Sequence, residues 1–334
     1  MELQKKRVLI VGGYGVVGSS IARLISKNYS SVELILAGRN PEKGEALVKE
    51  LHHAKTAYAD LEKGFDLAAY GPLDLIITSM GDPRNIIRET AIANGIALIH
   101  IAEVIEDISP AVFLALHQEL SAPVVFAGHW QAGIITLVTK QLAAGFNEIS
   151  TVETAGLYDE KDHVGPMVTN EVGGFIAKAL LREQGKWQYV EAKENGRTIQ
   201  LADESSFEGF PMSSLDVPSI GALTGAPNIR FDFATGESIG SRNGTAASHD
   251  LYIDIEGFDL SGESTKLRTI VSDPQGVAHL TAVGTLLILE GIFGYGGQTA
   301  AEKGGLYSPE TIVSTAHIIS RLEEFGIAVT QETF

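Results

Sequence analysis

Short apolar runs alternate with helix-like patterns through the first third of the chain. Six of these runs predict β-strands, at residues 7–11, 33–37, 56–59, 73–78, 97–101 and 123–127. Helical signals lie between them, such as Asn40-Pro41 and Asp82-Pro83, each a capping residue followed by proline at the first helical position. Alternating strands and helices are typical of a parallel sheet covered by helices. We therefore predict a doubly wound α/β domain over residues 1–130.

The pattern changes after Gly128. A helix is predicted over 133–144, followed by longer alternating runs at 152–158, 187–192, 198–201, 250–256 and 266–272. Such alternation predicts an antiparallel sheet with one buried face, and the turn Glu194-Asn195-Gly196 predicts a hairpin between the second and third runs. Residues 207–248 are rich in Gly, Ser, Pro and Asn, which predicts a long loop that covers a cleft.

Two further helices are predicted near the end of the chain, at 276–292 and 308–325. The second begins with Ser308-Pro309-Glu310, a cap followed by proline and an acid. We expect an α+β substrate and dimerisation domain over 131–305, with the C-terminal helix within 306–334 packed back on the first domain. A helix is also predicted to start at Asn170-Glu171.

Composition narrows the classes of partner. A length of 334 residues exceeds what one hydrophobic core usually fills, which favours two domains. The formal net charge of −17 argues against nucleic acids and anionic membranes, because both require a basic surface. The absence of cysteine excludes disulfides, thiolate metal sites and a cysteine nucleophile. A small-molecule substrate is the partner that these features leave, and no metal site is predicted.

Location and assembly follow from two patterns. Polar residues 1–7 lead directly into the first strand and leave no room for a signal peptide. The most apolar long stretch, 277–293, contains His279, Glu290 and several glycines, so it predicts a buried helix and no membrane span. We expect a cytoplasmic protein. An antiparallel sheet often supplies a dimer face, so a homodimer is also expected.

A glycine-rich motif, Gly13-Tyr14-Gly15-Val16-Val17-Gly18, lies directly between the first strand and the first helix. In this pattern Gly13 permits a tight turn, Gly15 lets the backbone approach a pyrophosphate, and Gly18 lets the helix pack closely on the strand. The free N–H groups of the helix N-terminus then hold the phosphates. The motif predicts a dinucleotide-binding Rossmann domain.

The end of the second strand indicates which dinucleotide is bound. An acid there would bind the ribose hydroxyls of NAD, whereas an arginine accommodates the 2′-phosphate of NADP. The chain has Gly38-Arg39-Asn40 at this place, and Lys43 lies one turn into the next helix. The planar guanidinium suits a phosphate, although Arg39 could also be a solvated loop residue. The sequence favours NADP, and NAD stays an alternative.

Further short motifs stand in order along the chain. They are Gly12 to Gly18, Ala37-Gly38-Arg39, Asp60-Leu61, Ile77-Thr78-Ser79-Met80-Gly81, Ala91-Ile92-Ala93-Asn94-Gly95, Ala127-Gly128-His129-Trp130-Gln131-Ala132-Gly133, Asp273-Pro274-Gln275-Gly276 and Ser308-Pro309-Glu310. Together they resemble the saccharopine dehydrogenase-like family of NAD(P)-binding oxidoreductases. The resemblance places Asp60-Leu61 and Ser79-Met80 in the cofactor site. It also implies hydride transfer at a carbon bearing nitrogen in an amino-acid-like substrate.

Two departures from that family concern the substrate side. Ile99-His100 stands where the family commonly has Tyr-Val-Asp, and Ala132 replaces the usual proline before Gly133. Two other functions therefore stay open. One is a transferase or lyase that keeps its dinucleotide bound throughout turnover, and the other is a non-catalytic sensor of NAD(P)H.

Candidate acid–base residues follow from the rule that ligands of open α/β sheets lie beyond the carboxyl ends of the strands. His129, in a glycine-flanked turn, is the first candidate for a proton donor, with a structural histidine as the alternative. His100 and Glu103 are close enough in sequence to pair, and core or capping roles are the alternative for both.

Other polar residues of the second domain are candidates for binding a metal or a substrate. Asp159, Asp162 and His163 follow a strand, but their spacing matches no metal site and indicates a solvated turn. Arg230 and Arg242 could each bind a substrate carboxylate, with a surface ion pair as the alternative. Tyr189 and Lys193 have the Tyr-x-x-x-Lys spacing of short-chain dehydrogenases, but they fall in an extended run where the two side chains do not share a helix face.

Overall fold

The structure, a computed structural model, describes residues 5–103, 105–164, 178–201, 205–316 and 318–333. The helix predicted at Asn170-Glu171 lies outside these residues. The chain divides into two units: unit 1 is Met1–Gly128 with Thr281–Ser314, and unit 2 is His129–Leu280 with Thr315–Phe334. In chain order the strands are β1 (Arg7–Val11), β2 (Glu33–Gly38), β3 (Ala54–Tyr58), β4 (Leu75–Thr78), β5 (Ala97–His100), β6 (Pro123–Phe126), β7 (Phe146–Tyr158), β8 (Lys178–Glu183), β9 (Lys186–Glu191), β10 (Arg197–Gln200), β11 (Ser206–Pro211), β12 (Asn228–Thr235), β13 (His249–Asp259), β14 (Ser264–Asp273), β15 (Gly305–Tyr307) and β16 (Ala328–Thr333). The helices are α1 (Val16–Asn28), α2 (Glu45–Glu50), α3 (Ile86–Ala93), α4 (Ile105–His117), α5 (Ile134–Ala143), α6 (Asp216–Thr224), α7 (Ile239–Arg242), α8 (Val277–Phe293), α9 (Pro309–Ile312) and α10 (Ile318–Glu324).

Unit 1 is built on a parallel sheet of seven strands in the order β15-β6-β5-β4-β1-β2-β3. Every neighbouring pair in it is parallel. The central strands are apolar because both faces of the sheet are covered, and residues Val8 to Val11 of β1 are fully buried. The predicted doubly wound α/β fold is confirmed.

Two helix starts in unit 1 differ from the prediction. Asn40-Pro41 opens a short 3-10 turn, Pro41–Gly44, before α2 begins. Asp82-Pro83 precedes its helix by several residues, because α3 begins only at Ile86. Asp82 still caps that helix, since its carboxylate accepts the N–H groups of Ile86 at 2.9 Å and Ile87 at 2.7 Å.

The end of the chain is not the single helix that was predicted. Ser308 and Pro309 do start a helix, but α9 ends after one turn. The N–H of Ser314 bonds the side-chain oxygen of Gln298 at 2.7 Å, which satisfies it outside the helix. Strand β15 adds to unit 1 beside β6, while β16 pairs with β14 in unit 2. Unit 1 therefore includes residues that the predicted division assigned to 131–305.

Unit 2 contains a sheet of nine strands that is mixed, in contrast to the predicted antiparallel sheet. Its main path runs β10-β11-β12-β7-β13-β14-β16, with β8 paired to β12 and β9. Strands β12 and β7 are parallel over Asn228 to Thr235. The other pairs are antiparallel. The sheet still gives the second domain an α+β character.

The stretch 207–248 is no long loop, because it contains β11, α6, β12 and α7. Strand β12 has weak periodicity because it lies inside the sheet and buries a charge among apolar residues. The side chain of Asp232 is fully buried and bonds Nε of Arg197 at 2.6 Å and Nε of Arg230 at 2.9 Å. This ion pair occupies Arg230, which was a candidate for binding a substrate carboxylate.

The predicted hairpin at Glu194-Asn195-Gly196 is also wrong. Strand β9 pairs with β8, and β10 pairs with β11. Asn195 has φ −121°, whereas a two-residue hairpin turn of this composition needs positive φ at both central residues. Gly196 serves close packing, since a Cβ there would lie 2.8 Å from the Phe210 ring.

Candidate functional site

The turn after β1 assigns the glycines differently from the sequence pattern. Gly12 has φ +83°, a left-handed conformation, and its N–H bonds the carbonyl of Ala37 at 2.8 Å. A Cβ at Gly13 would lie 2.7 Å from the carbonyl oxygen of Ile10 and 3.0 Å from Cα of Leu36. Gly12 therefore makes the tight turn that was assigned to Gly13, and Gly13 lets the turn pack against β2.

Gly15 and Gly18 have different surroundings. A Cβ at Gly18 would lie 2.2 Å from the carbonyl oxygen of Gly12, so α1 can approach the turn only without a side chain there. A Cβ at Gly15 would meet just this same oxygen, at 3.2 Å, among the described residues. Gly15 caps α1, whose first-turn N–H groups include those of Val16 and Val17. The first turn of α1 carries no acid. This terminus therefore fits a pyrophosphate.

Tyr14 spans the turn at the end of β2, a role that sequence reasoning missed. A Cβ at Gly38 would lie 2.4 Å from the Tyr14 Oη, and one at Gly44 would lie 2.9 Å from its Cδ1. The phenol oxygen accepts the N–H of Asn40 at 2.9 Å. Burial raises the pKa of Tyr14. The two glycines on either side of Arg39 were the available signal, because each leaves room for the ring.

The cationic side chains at this turn are accessible. Arg39 and Lys43 are exposed, and within the described ranges neither forms an ion pair. The pKa of Tyr14, raised mainly by burial, is also raised by the charge of Glu42 and lowered by that of Arg39. Charges of both signs thus lie near the phenol. An exposed arginine at the end of β2 fits the 2′-phosphate of NADP.

The next strand ends complete this edge of the sheet. The Ser79 hydroxyl and N–H both donate to the carbonyl of Val11, each at 3.0 Å, which brings Ser79 against the turn at Gly12. The Asp60 carboxylate accepts the hydroxyl of Tyr58 at 3.1 Å. Leu61 and Met80 pack partly buried against the core of unit 1.

His100 ends β5, and Glu103 follows it three residues later. Arg88 is a partner that the sequence did not reveal. Arg88 of α3 is buried, and its Nη2 bonds the Oε2 of Glu103. The Arg88 guanidinium also lies 5.5 Å from the centre of the Phe126 ring. The Nδ1 of His100 lies 3.9 Å from the same Glu103 oxygen. The sequence placed His100 and Glu103 close enough to pair, but it gave no signal that Arg88 joins them.

The cluster is electrostatically constrained. Burial and, to a lesser extent, the Arg88 charge lower the pKa of His100 to about 3, so the imidazole is neutral near pH 7. Burial raises the pKa of Glu103 to about 8, against the opposing effect of Arg88. These contacts favour the structural alternative for both residues.

The turn before α5 begins with His129 and contains an unusual backbone. Gln131, Ala132 and Gly133 have φ of 54°, 52° and 95°, three left-handed residues in succession. Only glycine adopts this region at low cost, so side-chain bonds must hold the turn. The Trp130 N–H donates to the carboxylate of Asp216 at 2.7 Å, and Gln131 bonds Nε2 of His249 at 2.9 Å.

His129 has a partner from a distant part of the chain. Its Nε2 lies 2.7 Å from the hydroxyl of Ser219 on α6, whereas its Nδ1 is buried with no hydrogen bond among the described residues. His129 is 5% exposed, while Ser219 is only partly buried. Asp216, fully buried, also accepts the hydroxyls of Thr136 at 2.7 Å and Ser214 at 2.6 Å. It therefore anchors α6 beside this turn.

The remaining polar candidates have structural partners. Asp159 bonds the hydroxyls of Ser238 at 2.8 Å and Ser241 at 2.5 Å. These bonds hold the pKa of Asp159 well below its usual range, although burial opposes them. Arg242 donates to the hydroxyl of Ser205 at 3.0 Å. Among the described residues, no group of three metal-ligating side chains comes together.

Comparison with known proteins supports this fold. The family model of shikimate/quinate 5-dehydrogenases matches residues 1–110. Saccharopine dehydrogenase (L-Glu forming) from Saccharomyces cerevisiae has a TM-score of 0.68 at 12% identity, over 98% of this chain and 100% of that one. The chain has a saccharopine dehydrogenase-like NAD(P)-binding fold. This confirms the fold that the sequence resemblance implied.

Two other solved structures share the fold. Homospermidine synthase from Legionella pneumophila, in complex with NAD, has a TM-score of 0.67 at 11% identity, over 99% of this chain and 92% of that one. Amine dehydrogenase from Mycobacterium smegmatis has a TM-score of 0.54 at 11% identity, over 93% of this chain and 96% of that one. A sequence search among curated proteins finds no match. None of the described helices has the length and apolarity to span a membrane.

We predict that Gly15→Asp abolishes dinucleotide binding and leaves the fold intact, because the new carboxylate would occupy the place of the pyrophosphate. Gly145→Asp is a matched control, since a Cβ there meets only the carbonyl oxygen of Leu142, at 3.3 Å. Gly18→Ala should reduce both binding and thermal stability, because its Cβ would collide with the backbone of Gly12. Calorimetric titration with NADPH and thermal unfolding measure the two effects. Unchanged affinity in Gly15→Asp would contradict the pyrophosphate site.

A second prediction concerns the stability of unit 2 at acidic pH. Burial lowers the pKa of His249 from 6.5 to about 3, so between these values the unfolded chain binds a proton that the folded unit does not. The free energy of unfolding should therefore fall as pH falls below 6.5, with His249 contributing about 1.4 kcal/mol per pH unit. His249→Gln should remove this contribution.

Urea unfolding at pH 6, 5 and 4 measures the slope. Trp130 and Trp187 are the two tryptophans of the chain and both lie in unit 2, so their fluorescence reports that unit. His52→Gln, at an exposed histidine, is the control and should leave the slope unchanged. An equal slope in the wild type and His249→Gln would show that His249 does not set it.

Proposed function

We propose that the chain is an NADP-dependent oxidoreductase that transfers hydride at a carbon bearing nitrogen in an amino-acid-like substrate. The observation that carries this proposal is the N-terminus of α1, which fits a pyrophosphate, beside an exposed Arg39. The matching family model and two of the three similar structures are dehydrogenases, which supports an oxidoreductase at the general level. The names saccharopine dehydrogenase and amine dehydrogenase support a substrate with nitrogen at the reacting carbon. We also propose that the protein is cytoplasmic and forms a homodimer.

In this proposal the N–H groups of Val16 and Val17 hold the pyrophosphate, and Arg39 with Lys43 binds the 2′-phosphate. Asp60-Leu61 and Ser79-Met80, the residues after β3 and β4, would hold the adenosine half. When bound, the nicotinamide supplies or accepts the hydride. What remains for the protein is to orient the substrate and to move the accompanying proton.

We assign that proton to His129 acting through Ser219. His129 is buried, and its Nε2 already bonds the Ser219 hydroxyl, so a substrate reaches the hydroxyl more easily than the imidazole. A hydroxyl donates one hydrogen bond and accepts others, so it can pass a proton between the imidazole and a substrate nitrogen. An imidazole nitrogen can either accept or donate a proton, which suits transfer in both directions. His100 and Glu103 are the second candidates, and their contacts with Arg88 favour a structural role.

A second function is favoured by one of the similar structures. The homospermidine synthase from Legionella pneumophila is a synthase with NAD bound. This chain would, by analogy, be a transferase or lyase that oxidises and re-reduces its substrate in one turnover. A synthase of this type leaves no net change in absorbance at the nicotinamide band, whereas an oxidoreductase consumes NADPH. A screen of amino acids, opines and pairs of keto acid and amine therefore distinguishes the two.

We predict that Arg39→Asp reverses the preference between NADP and NAD. Loss of the guanidinium removes a charge-assisted contact to the 2′-phosphate, which should weaken NADPH binding by about tenfold or more. The new carboxylate repels that phosphate and accepts from the ribose hydroxyls of NAD. Calorimetric titration with both cofactors measures the change. Equal affinity of the wild type for NADH and NADPH would contradict the prediction before any variant is made.

We also predict that Ser219→Ala and His129→Gln each lower kcat by about two to four orders of magnitude, because each interrupts proton transfer. Affinity for NADPH should stay close to that of the wild type. Thr224→Ala is the control, since its hydroxyl lies on the same helix and donates to the carbonyl of Ile220. Steady-state assays use the substrate that the screen identifies. Wild-type turnover in both variants across the pH range would make His129 a structural residue.

A further inference from the structure

A histidine and a buried aspartate form a second acid–base group in unit 2. The Nδ1 of His279, near the start of α8, lies 2.7 Å from the Oδ2 of Asp273 at the end of β14. The Asp273 side chain is fully buried, whereas that of His279 is 12% exposed. The side-chain amide nitrogen of Gln275 lies 3.3 Å from the other ring nitrogen of His279, Nε2. These contacts assign the proton to Nδ1, and the Nε2 lone pair accepts from the side-chain amide of Gln275, which is exposed.

The turn between these two residues is fixed by two carboxylates. Asp273 accepts the N–H of Gln275 at 2.9 Å, and Asp162 accepts the N–H of Val277 at 2.7 Å. Gly276 has φ +85°, and a Cβ there would lie 2.3 Å from Asp162, so no side chain fits between them. The imidazole is therefore held in place by the backbone as well as by Asp273. A base oriented by a buried carboxylate is an arrangement that recurs in general acid–base catalysis.

The pair formed by His279 and Asp273 lies near the turn that begins with His129. Asp273 pairs in register with His249 across β14 and β13, and His249 accepts hydrogen bonds from Trp130 and Gln131. His249 itself is fully buried and its low pKa keeps it neutral. Burial raises the pKa of Asp162, and the charges of Asp273 and Asp159 raise it further. His129 and His279, each with its own partner, thus lie around one end of the sheet of unit 2.

We propose that His279, positioned by Asp273, is the acid–base residue for the water that enters or leaves when a carbonyl and an amine interconvert with an imine. This inference rests on the proposed function, in which reaction at a carbon bearing nitrogen passes through an imine. An amine adds to a carbonyl to give a carbinolamine. Protonated His279 donates its Nε2 proton to the carbinolamine oxygen, the C–O bond breaks, water leaves, and the nitrogen lone pair forms the C=N bond. In the reverse direction neutral His279 removes a proton from the attacking water.

The test compares substrates that need this step with substrates that bypass it. A keto acid with an amine must lose water before reduction, whereas a preformed five-membered cyclic imine needs only hydride and a proton. His279→Gln should lower kcat for the keto acid and amine by about two to four orders of magnitude and leave reduction of the cyclic imine within about threefold. Asp273→Asn should reduce the first activity and shift its pH profile, because the imidazole loses its orientation and its partner charge. His163→Gln, at an exposed histidine of the same unit, is the control.

The outcomes separate this inference from the proposed function. Equal losses on both kinds of substrate, or no loss on either, would overturn the role of His279 while the oxidoreductase function stands. Ser219→Ala should, in contrast, lose both activities, because it acts at hydride transfer. If the wild type oxidises NADPH with neither kind of substrate, the proposed function fails and the inference fails with it.

Discussion

The close approach of α1 to the turn after β1 is the constraint on which the cofactor site depends. The turn lies against β2 at Gly13, and the helix lies against the turn at Gly18, with no space for a side chain at either place. This contact places the first N–H groups of α1 next to Gly15, where a Cβ would meet just the carbonyl oxygen of Gly12 among the described residues. Phosphate binding at a helix N-terminus needs such exposed donors. The packing of β2, the turn after β1 and α1 therefore also creates the proposed phosphate site.

In unit 2 a comparable constraint acts through side chains. The left-handed turn at Gln131 and Ala132 is unfavourable by itself, and the buried carboxylate of Asp216 and the neutral imidazole of His249 hold it by hydrogen bonds. Both groups lie in the interior, where a lost hydrogen bond is costly because water cannot replace it. His129 inherits its position from this network, and its bond to Ser219 follows from the place of α6.

Burial also separates the acid–base residues by the work they can do. His100 and Glu103 share a buried site with Arg88, where burial and the guanidinium charge both lower the pKa of His100, whereas for Glu103 burial raises the pKa and the guanidinium lowers it. His279 is different, because its buried partner is a carboxylate and its own side chain is 12% exposed. Histidines of one chain therefore range from a neutral core residue to a candidate catalyst, according to the charges and the water around them.

The sequence by itself determined the parallel sheet of unit 1 and the dinucleotide fingerprint. Strands covered on both faces are continuous apolar runs, and a turn that requires glycine can be recognised from neighbouring residues alone. It did not determine β12, whose buried Asp232 interrupts the apolar pattern, or the strands β15 and β16, which lie on either side of the predicted helix 308–325. Nor did it reveal that His129 meets Ser219 or that Glu103 meets Arg88. Only the tertiary structure decided these features, because strand pairing and buried hydrogen bonds join residues that are distant along the chain and carry no local signal.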